Sequence, residues 1–207
     1  MFPINFVDIL YTLPAILIAL TFHEFSHGLA AYLLGDNTAK EQGRLSLNPI
    51  KHIDPMGFLT LLFFRFGWAK PVPYNPLYFK NRKMGTFLVA LAGPLSNLLL
   101  AFTSLSLILI IKPQNFIIYN ILNLLIFYNI IFAIFNLIPI PPLDGSKLMA
   151  SLLPNKQERL FWEYERFGYP LLLILIVTGL LSKLLSPLIN IVLNKLILLA
   201  NFFFGGL

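Results

Sequence analysis

Four long apolar stretches, separated by short polar segments, dominate this chain. They cover roughly residues 7–35, 84–111, 115–138 and 168–200. A helix that crosses a bilayer needs about 20 mostly apolar residues, and each stretch meets that length. The pattern predicts an all-α polytopic membrane protein with about four transmembrane helices. Because Ser186-Pro187 interrupts the last stretch, residues 184–204 are either a further span or an interfacial helix.

The segment 36–83, between the first two stretches, has a mixed pattern. Residues 56–66 are apolar but too few to cross a membrane, which predicts a short re-entrant or interfacial piece. Residues 43–47 favour a small β-strand or hairpin, whose edge could hold an extended substrate by strand addition. Since no internal repeat and no long soluble stretch occurs, we expect one membrane-embedded domain over 1–207, without a separate soluble regulatory domain.

Composition supports the membrane assignment and limits the partners. The 207 residues are 57% hydrophobic and 12% charged, which excludes an ordinary soluble domain. The net charge of +6 does not indicate nucleic-acid binding, because eight of the 15 basic residues lie in 36–83 and four in 139–167. That clustering is typical of cytoplasmic loops. The apolar N-terminal stretch has no basic residue before it and is expected to be a retained span.

Three ionisable residues lie close together in the first apolar stretch. They are His23, Glu24 and His27, which form the pattern HExxH. On a helix, positions i and i+4 lie on one face, so the two imidazoles can bind one metal ion while the glutamate stands beside it as a base. A charged cluster within a span is costly and indicates function. Because the chain has no cysteine, nitrogen and oxygen must supply the ligands, and zinc is the expected metal.

Asp144 is the best candidate for a third ligand. It follows the third apolar stretch after Pro139, Pro141 and Pro142, which must break the helix near membrane depth. Irregular backbone is tolerated there only where protein or a watery cavity receives it. The proline-rich run therefore predicts a polar site that includes Asp144.

The two motifs together resemble those of the site-2 protease family of intramembrane zinc metalloproteases. HExxH in the first span is followed by Asn-x-x-Pro-x-Pro-x-x-Asp-Gly over residues 136–145. Further runs are similar to the compact bacterial and archaeal branch of that family. These runs are 43–49 (GRLSLNP), 52–55 (HIDP), 67–73 (GWAKPVP) and 92–97 (AGPLSN).

The resemblance implies a role for each matching residue. His23, His27 and Asp144 would bind one Zn²⁺, Glu24 would be the general base in peptide hydrolysis, and Asn136 would donate a hydrogen bond to the oxyanion. It also implies regulated intramembrane proteolysis of single-span membrane proteins, in a prokaryotic inner membrane, with access set by substrate presentation or a membrane partner. The oligomeric state stays open.

Alternatives remain for the function and for two polar residues. The same His, Glu and Asp cluster could serve a membrane metal-binding or ion-transport protein, although the absence of a repeat argues against transport. His52 is either a zinc contact in a closed or inhibited state or a polar residue that packs the loop, and its polar neighbours Lys51 and Asp54 favour the loop. Asn97 is expected to form a hydrogen bond across helices, with small residues around it allowing close approach.

Overall fold

A computed structural model of the chain describes residues 6–64, 67–154, 157 and 165–205. Helices make up most of these ranges, joined by short turns and loops. In chain order the α-helices are α1 (Phe6–Leu33), α2 (Thr38–Glu41), α3 (Pro55–Phe64), α4 (Arg82–Ile111), α5 (Phe116–Asn136), α6 (Asp144–Leu152), α7 (Gly168–Val177) and α8 (Leu180–Phe204).

Four helices in the described part of the chain are long and apolar enough to cross a membrane. They are α1, with its span at Tyr11–Leu33, and the whole of α4, α5 and α8. Asparagine caps mark two of the starts: the Asn81 side chain accepts a hydrogen bond from the Met84 amide, and Asn115 does so from the Ile117 amide. The prediction of an all-α membrane protein with four spans is confirmed.

The last apolar stretch divides at a different place from the one predicted. Helix α7 has only 10 residues and ends before Gly179, whose φ of +70° is a left-handed conformation that suits glycine. Pro187 lies inside α8, and residues 184–204 therefore belong to a single 25-residue helix. Membrane helices tolerate proline where neighbouring groups satisfy the freed backbone. The predicted break at Ser186-Pro187 is thus wrong, and residues 184–204 are part of a helix long enough to cross a membrane.

The strand predicted at residues 43–47 is also wrong. Gly43 has a φ of +64°, and the amides of Arg44 and Leu45 both donate to the Ala39 carbonyl, at 2.8 and 3.2 Å. Amides committed to local bonds cannot form a β-ladder, so this segment offers no edge for strand addition. Among the described residues, β-pairing is limited to one isolated bridge between Ile53 and Ala69.

The predicted short apolar piece corresponds to α3. Its 10 residues are too few to cross a bilayer, and Met56 and Phe63 are largely exposed. After α3 the chain returns so closely that a Cβ added to Gly57 would lie 2.1 Å from the Trp68 carbonyl oxygen. Helix and return segment therefore form one tight hairpin, as expected for an interfacial or re-entrant element.

Helices α1, α4 and α5 pack against one another and form the centre of the bundle, with α6 and α8 against α4. Small residues allow this close packing, since Ala19, Ala101 and Ala133 are fully buried. A second group of buried apolar residues joins α4, α5, α7 and α8 to the segment after α5, and it includes Ile138 and Leu143. That segment is the one that carries Asp144, so core packing fixes its position.

Candidate metal centre

The HExxH residues lie on the inner face of α1. His23, Glu24 and His27 are 5%, 8% and 7% exposed, and all face the protein interior. The two imidazole rings are neighbours on the helix, with centroids 4.6 Å apart and planes almost perpendicular. Helical spacing thus brings both imidazoles to one buried spot, as the sequence predicts.

Asp144 reaches the same spot through the proline-rich segment. Helix α5 ends at Asn136 and α6 begins at Asp144, so the prolines interrupt the helix as expected. The segment folds back so tightly that a Cβ added to Gly145 would lie 2.3 Å from the Leu137 carbonyl oxygen. Glycine after the aspartate is therefore needed to place the carboxylate, which is 7% exposed.

Three side-chain atoms converge in a compact triangle. The Oδ2 atom of Asp144 lies 3.0 Å from His23 Nε2 and 3.0 Å from His27 Nε2, and the two Nε2 atoms are 3.0 Å apart. Among the described residues, His23, His27 and Asp144 are the set of three whose ligand atoms lie close enough together to hold a metal ion. The three predicted metal ligands are thus brought together from α1 and α6.

The outer nitrogen of each imidazole is held by a hydrogen bond. His27 Nδ1 donates to the Val89 carbonyl of α4 at 2.7 Å, and His23 Nδ1 donates to Asn97 Oδ1 at 2.7 Å. The Asn97 amide nitrogen in turn donates to the Ala19 carbonyl and to Asn129 Oδ1. These partners fix the Asn97 oxygen towards His23 and assign the imidazole proton to Nδ1.

This network leaves three acceptor atoms facing one another. With both protons on Nδ1, each Nε2 presents a lone pair, and Asp144 Oδ2 adds a negative oxygen. Three acceptors at 3.0 Å without a hydrogen between them repel unless a cation lies among them. Two imidazoles and one carboxylate are a ligand set found in catalytic zinc sites, and the residues fit that metal.

Lys147 and Tyr74 border the carboxylate on its other side. The Lys147 ammonium is 3.6 Å from Asp144 Oδ1 and 5.6 Å from the centre of the Tyr74 ring. The two oxygens of Asp144 therefore face different groups, with Oδ1 towards the lysine and Oδ2 towards the imidazoles. Oδ2 is thus available to a metal ion while Oδ1 is paired with the ammonium.

Charge and burial also act on these two neighbours. Burial lowers the pKa of the Lys147 ammonium, but the negative charges of Asp144 and Glu24 oppose that effect and the net pKa is raised. Burial raises the pKa of the Tyr74 hydroxyl. A charged Lys147 and a neutral Tyr74 are therefore favoured beside the carboxylate.

Helix α4 approaches the imidazoles at a glycine. A Cβ added to Gly93 would lie 2.4 Å from His27 Nε2 and 2.7 Å from His23 Cε1. No larger residue fits without moving the rings. The predicted close approach of α4 through small residues is confirmed, and so is the predicted interhelical bonding of Asn97.

Asn136 and His52 lie outside this triangle. The half-buried Asn136 amide donates to the Phe132 carbonyl of its own helix at 3.0 Å, and in the described part of the chain it has no hydrogen bond to the three ligands. His52 is fully buried, and its Nε2 donates to the Ser46 carbonyl at 2.7 Å, which agrees with the loop interpretation.

Two features of the site were not predicted. Lys147 lies one helical turn after Asp144, a spacing that could have indicated contact between the two side chains. The main-chain amide of Val72 donates to Glu24 Oε2 at 2.8 Å. A main-chain donor from a distant segment leaves no side-chain pattern to recognise.

Comparison with known proteins decides the family. The model for peptidase family M50 matches residues 108–179, which include Asp144. YwhC of Bacillus subtilis, named as a candidate zinc metalloprotease, is 39% identical over 194 residues, which are 87% of this chain and 86% of the relative. The chain belongs to peptidase family M50.

Other relatives agree with this assignment. Rip2 of Mycolicibacterium smegmatis, also named as a candidate zinc metalloprotease, is 29% identical over 87% of this chain and 72% of its own length. MJ0611 of Methanocaldococcus jannaschii, with the same kind of name, is 46% identical over 61 residues, 30% of this chain and 31% of its own. No solved structure matches the chain.

Family M50 is the site-2 protease family, so the resemblance seen in the motifs is confirmed. The chain is a zinc-dependent protease, and with four apolar helices it is an integral membrane protein.

The fit of Gly93 against the imidazoles can be tested by adding one methyl group. We expect Gly93→Ala to lose most of its bound zinc, because the new Cβ would force both rings from their positions. Metal content of the purified protein is the measurement. Gly85→Ala, in the same helix, meets the Phe79 ring at 2.3 Å and should lose stability but keep zinc. Equal zinc content in both variants would contradict the assignment.

Asn97 tests the role of the imidazole protons. Asn97→Ala removes the acceptor of His23 Nδ1, and zinc affinity should fall about 10-fold to 100-fold, as is usual when such a supporting bond is lost. Competition with a chelator measures the affinity. Asn123→Ala is the matched control, because it removes a half-buried α5 amide that donates to the Tyr119 carbonyl of its own helix at 2.9 Å. Wild-type affinity in Asn97→Ala would show that the bond is unimportant.

Proposed function

We propose that this chain is an intramembrane protease that hydrolyses peptide bonds of transmembrane substrates, with Glu24 as the general base. The observation that supports it best is the depth of the HExxH residues in α1. His23 lies 12 residues after the start of the span at Tyr11 and 10 before its end at Leu33. At 1.5 Å per residue, the site is about 15 to 18 Å from either end of the helix.

The side chains suit this chemistry. His23, His27 and Asp144 would hold zinc, which supplies a Lewis acid that polarises the scissile carbonyl and makes water more acidic. Glu24, next to His23 in α1, takes the proton of the attacking water and passes it to the leaving amine. Its carboxylate is buried, so its position is well defined.

Asn136 is proposed as the donor that stabilises the oxyanion. Its amide nitrogen carries two hydrogens, and the bond to the Phe132 carbonyl uses one. Among the described residues the second hydrogen has no partner, so it can donate to a substrate oxygen. Asn136 is the last residue of α5 and directly precedes the segment that carries Asp144.

A polar cavity supports a water supply from the cytoplasmic side. It has a volume of about 430 Å³, and its lining includes the basic Arg82, Lys83 and Lys147 and the acidic Glu165. Lys147 also contacts Asp144, so the cavity lies within one side chain of the candidate metal centre. Since the basic loops are the ones that stay in the cytoplasm, we infer that α1 runs from outside to inside and that water reaches the site from the cytoplasm.

The substrates that fit such a site are membrane proteins with a single transmembrane helix, which must unwind locally before hydrolysis. Access would be set by how the substrate is presented or by a membrane partner. The bacterial and archaeal relatives support a prokaryotic cell membrane as the location.

Cleavage by purified protein tests the role of Glu24. Wild type and Glu24→Gln are compared on a reconstituted single-span substrate, with zinc content and cleavage site determined by mass spectrometry. We expect Glu24→Gln to keep zinc and to lose cleavage by about 100-fold to 10,000-fold, because a positioned general base contributes that much. Glu41→Gln, on the exposed face of α2, is the control and should cleave normally.

Two outcomes would count against the proposal. Undiminished cleavage by Glu24→Gln would remove Glu24 from the mechanism. A wild-type protein that binds stoichiometric zinc but cleaves no transmembrane helix, or cuts only outside the apolar segment, would favour metal transport or cleavage of soluble regions.

A further inference from the structure

The carboxylate of Glu24 is held by a donor from outside α1. The main-chain amide of Val72 donates to Glu24 Oε2 at 2.8 Å, and the two residues are 6% and 8% exposed. A hydrogen bond to a carboxylate is stronger than one between neutral groups, and burial removes competing water. The contact therefore restrains one oxygen of the side chain proposed as the base.

The prolines on both sides of Val72 leave its amide as the local main-chain donor for Glu24. Val72 stands between Pro71 and Pro73, and proline has no amide hydrogen. Within the three residues, Val72 has the single N–H group, and it is used on the carboxylate. The segment cannot take part in a regular ladder, which would compete for that donor.

Buried polar contacts hold the segment on its other side. The Arg44 guanidinium donates to the Lys70 carbonyl at 2.7 Å, and the Lys70 amide donates to the His52 carbonyl at 2.9 Å. His52 is itself fixed by its bond to the Ser46 carbonyl. The buried Arg44 and His52 therefore set the position of the chain two residues before the Val72 amide.

Helix α1 makes room for the segment at a glycine. Gly28 lies one helical turn after Glu24, and a Cβ there would be 3.1 Å from Val72 Cγ1, closer than ordinary contact. The valine side chain thus packs directly on α1. A methyl group at residue 28 would push the valine side chain by a few tenths of an ångström, so glycine favours the approach of this segment to the carboxylate.

We propose that the Val72 amide is a positioning group for the general base, and this inference rests on the proposed function of Glu24. By holding Oε2, it directs Oε1 to the place where the attacking water gives up its proton. Arg44, His52 and Gly28 act through it, by fixing the segment and allowing it to approach.

The sharpest test replaces the amide of Val72 by an ester, through incorporation of the corresponding α-hydroxy acid. This change removes the N–H and keeps the side chain. We expect kcat for a transmembrane substrate to fall about 10-fold to 100-fold, with KM and zinc content unchanged, because a charged hydrogen bond is lost at the base alone. In a Glu24→Gln background the ester should have no further effect.

The same segment offers a matched control. The Asn75 amide donates to Asp36 Oδ2 at 2.6 Å, so an ester at Asn75 also removes a bond to a buried carboxylate, without touching Glu24. Thermal stability should fall similarly in both ester proteins, but kcat only in the first. Should the Val72 ester not fold, Gly28→Ala, which pushes the valine away from α1, is expected to lower kcat with zinc retained.

The outcomes separate this inference from the proposed function. Full or increased kcat in the Val72 ester, or an equal loss in both esters, overturns the positioning role even if Glu24→Gln is inactive. Activity retained by Glu24→Gln would instead overturn the proposed function itself.

Discussion

The mutual repulsion of three buried acceptor atoms is the constraint on which the rest of this structure depends. His23 Nε2, His27 Nε2 and Asp144 Oδ2 lie 3.0 Å apart in an apolar bundle, and the hydrogen bonds at both Nδ1 atoms leave no proton between them. Such a cluster is stable only around a cation. Folding of the bundle and binding of zinc are therefore coupled, since each supplies what the other needs.

Much of the surrounding structure exists to hold that cluster. Helix α4 contributes two acceptors for the imidazole protons, and at Gly93 it comes close enough to confine the rings. The segment before α6 is anchored in the apolar core through Ile138 and Leu143 and delivers Asp144 from the other side. Because these supports come from elements distant in sequence, the site forms only when the whole bundle is assembled.

The sequence predicted the site better than it predicted the polypeptide around it. HExxH and the aspartate after the prolines are local patterns with direct chemical meaning, and the structure brings these residues together. The strand at 43–47 failed because the Arg44 and Leu45 amides bond locally. Pro187 was misread because a membrane helix can contain a proline, as α8 does. The contact of the Val72 amide with Glu24 could not be foreseen, since main-chain donors become specific only in three dimensions.

Zinc-edge X-ray absorption of the purified protein tests the central claim most directly, because it reports the ligands without requiring a substrate. Wild type should show two imidazole nitrogens with additional oxygen ligands, at about 2.0 to 2.2 Å. His23→Ala should lose one imidazole, and Asp144→Ala should keep both while losing an oxygen. A wild-type spectrum with fewer than two imidazoles, or one that His23→Ala leaves unchanged, would contradict the assignment of these residues as the metal centre.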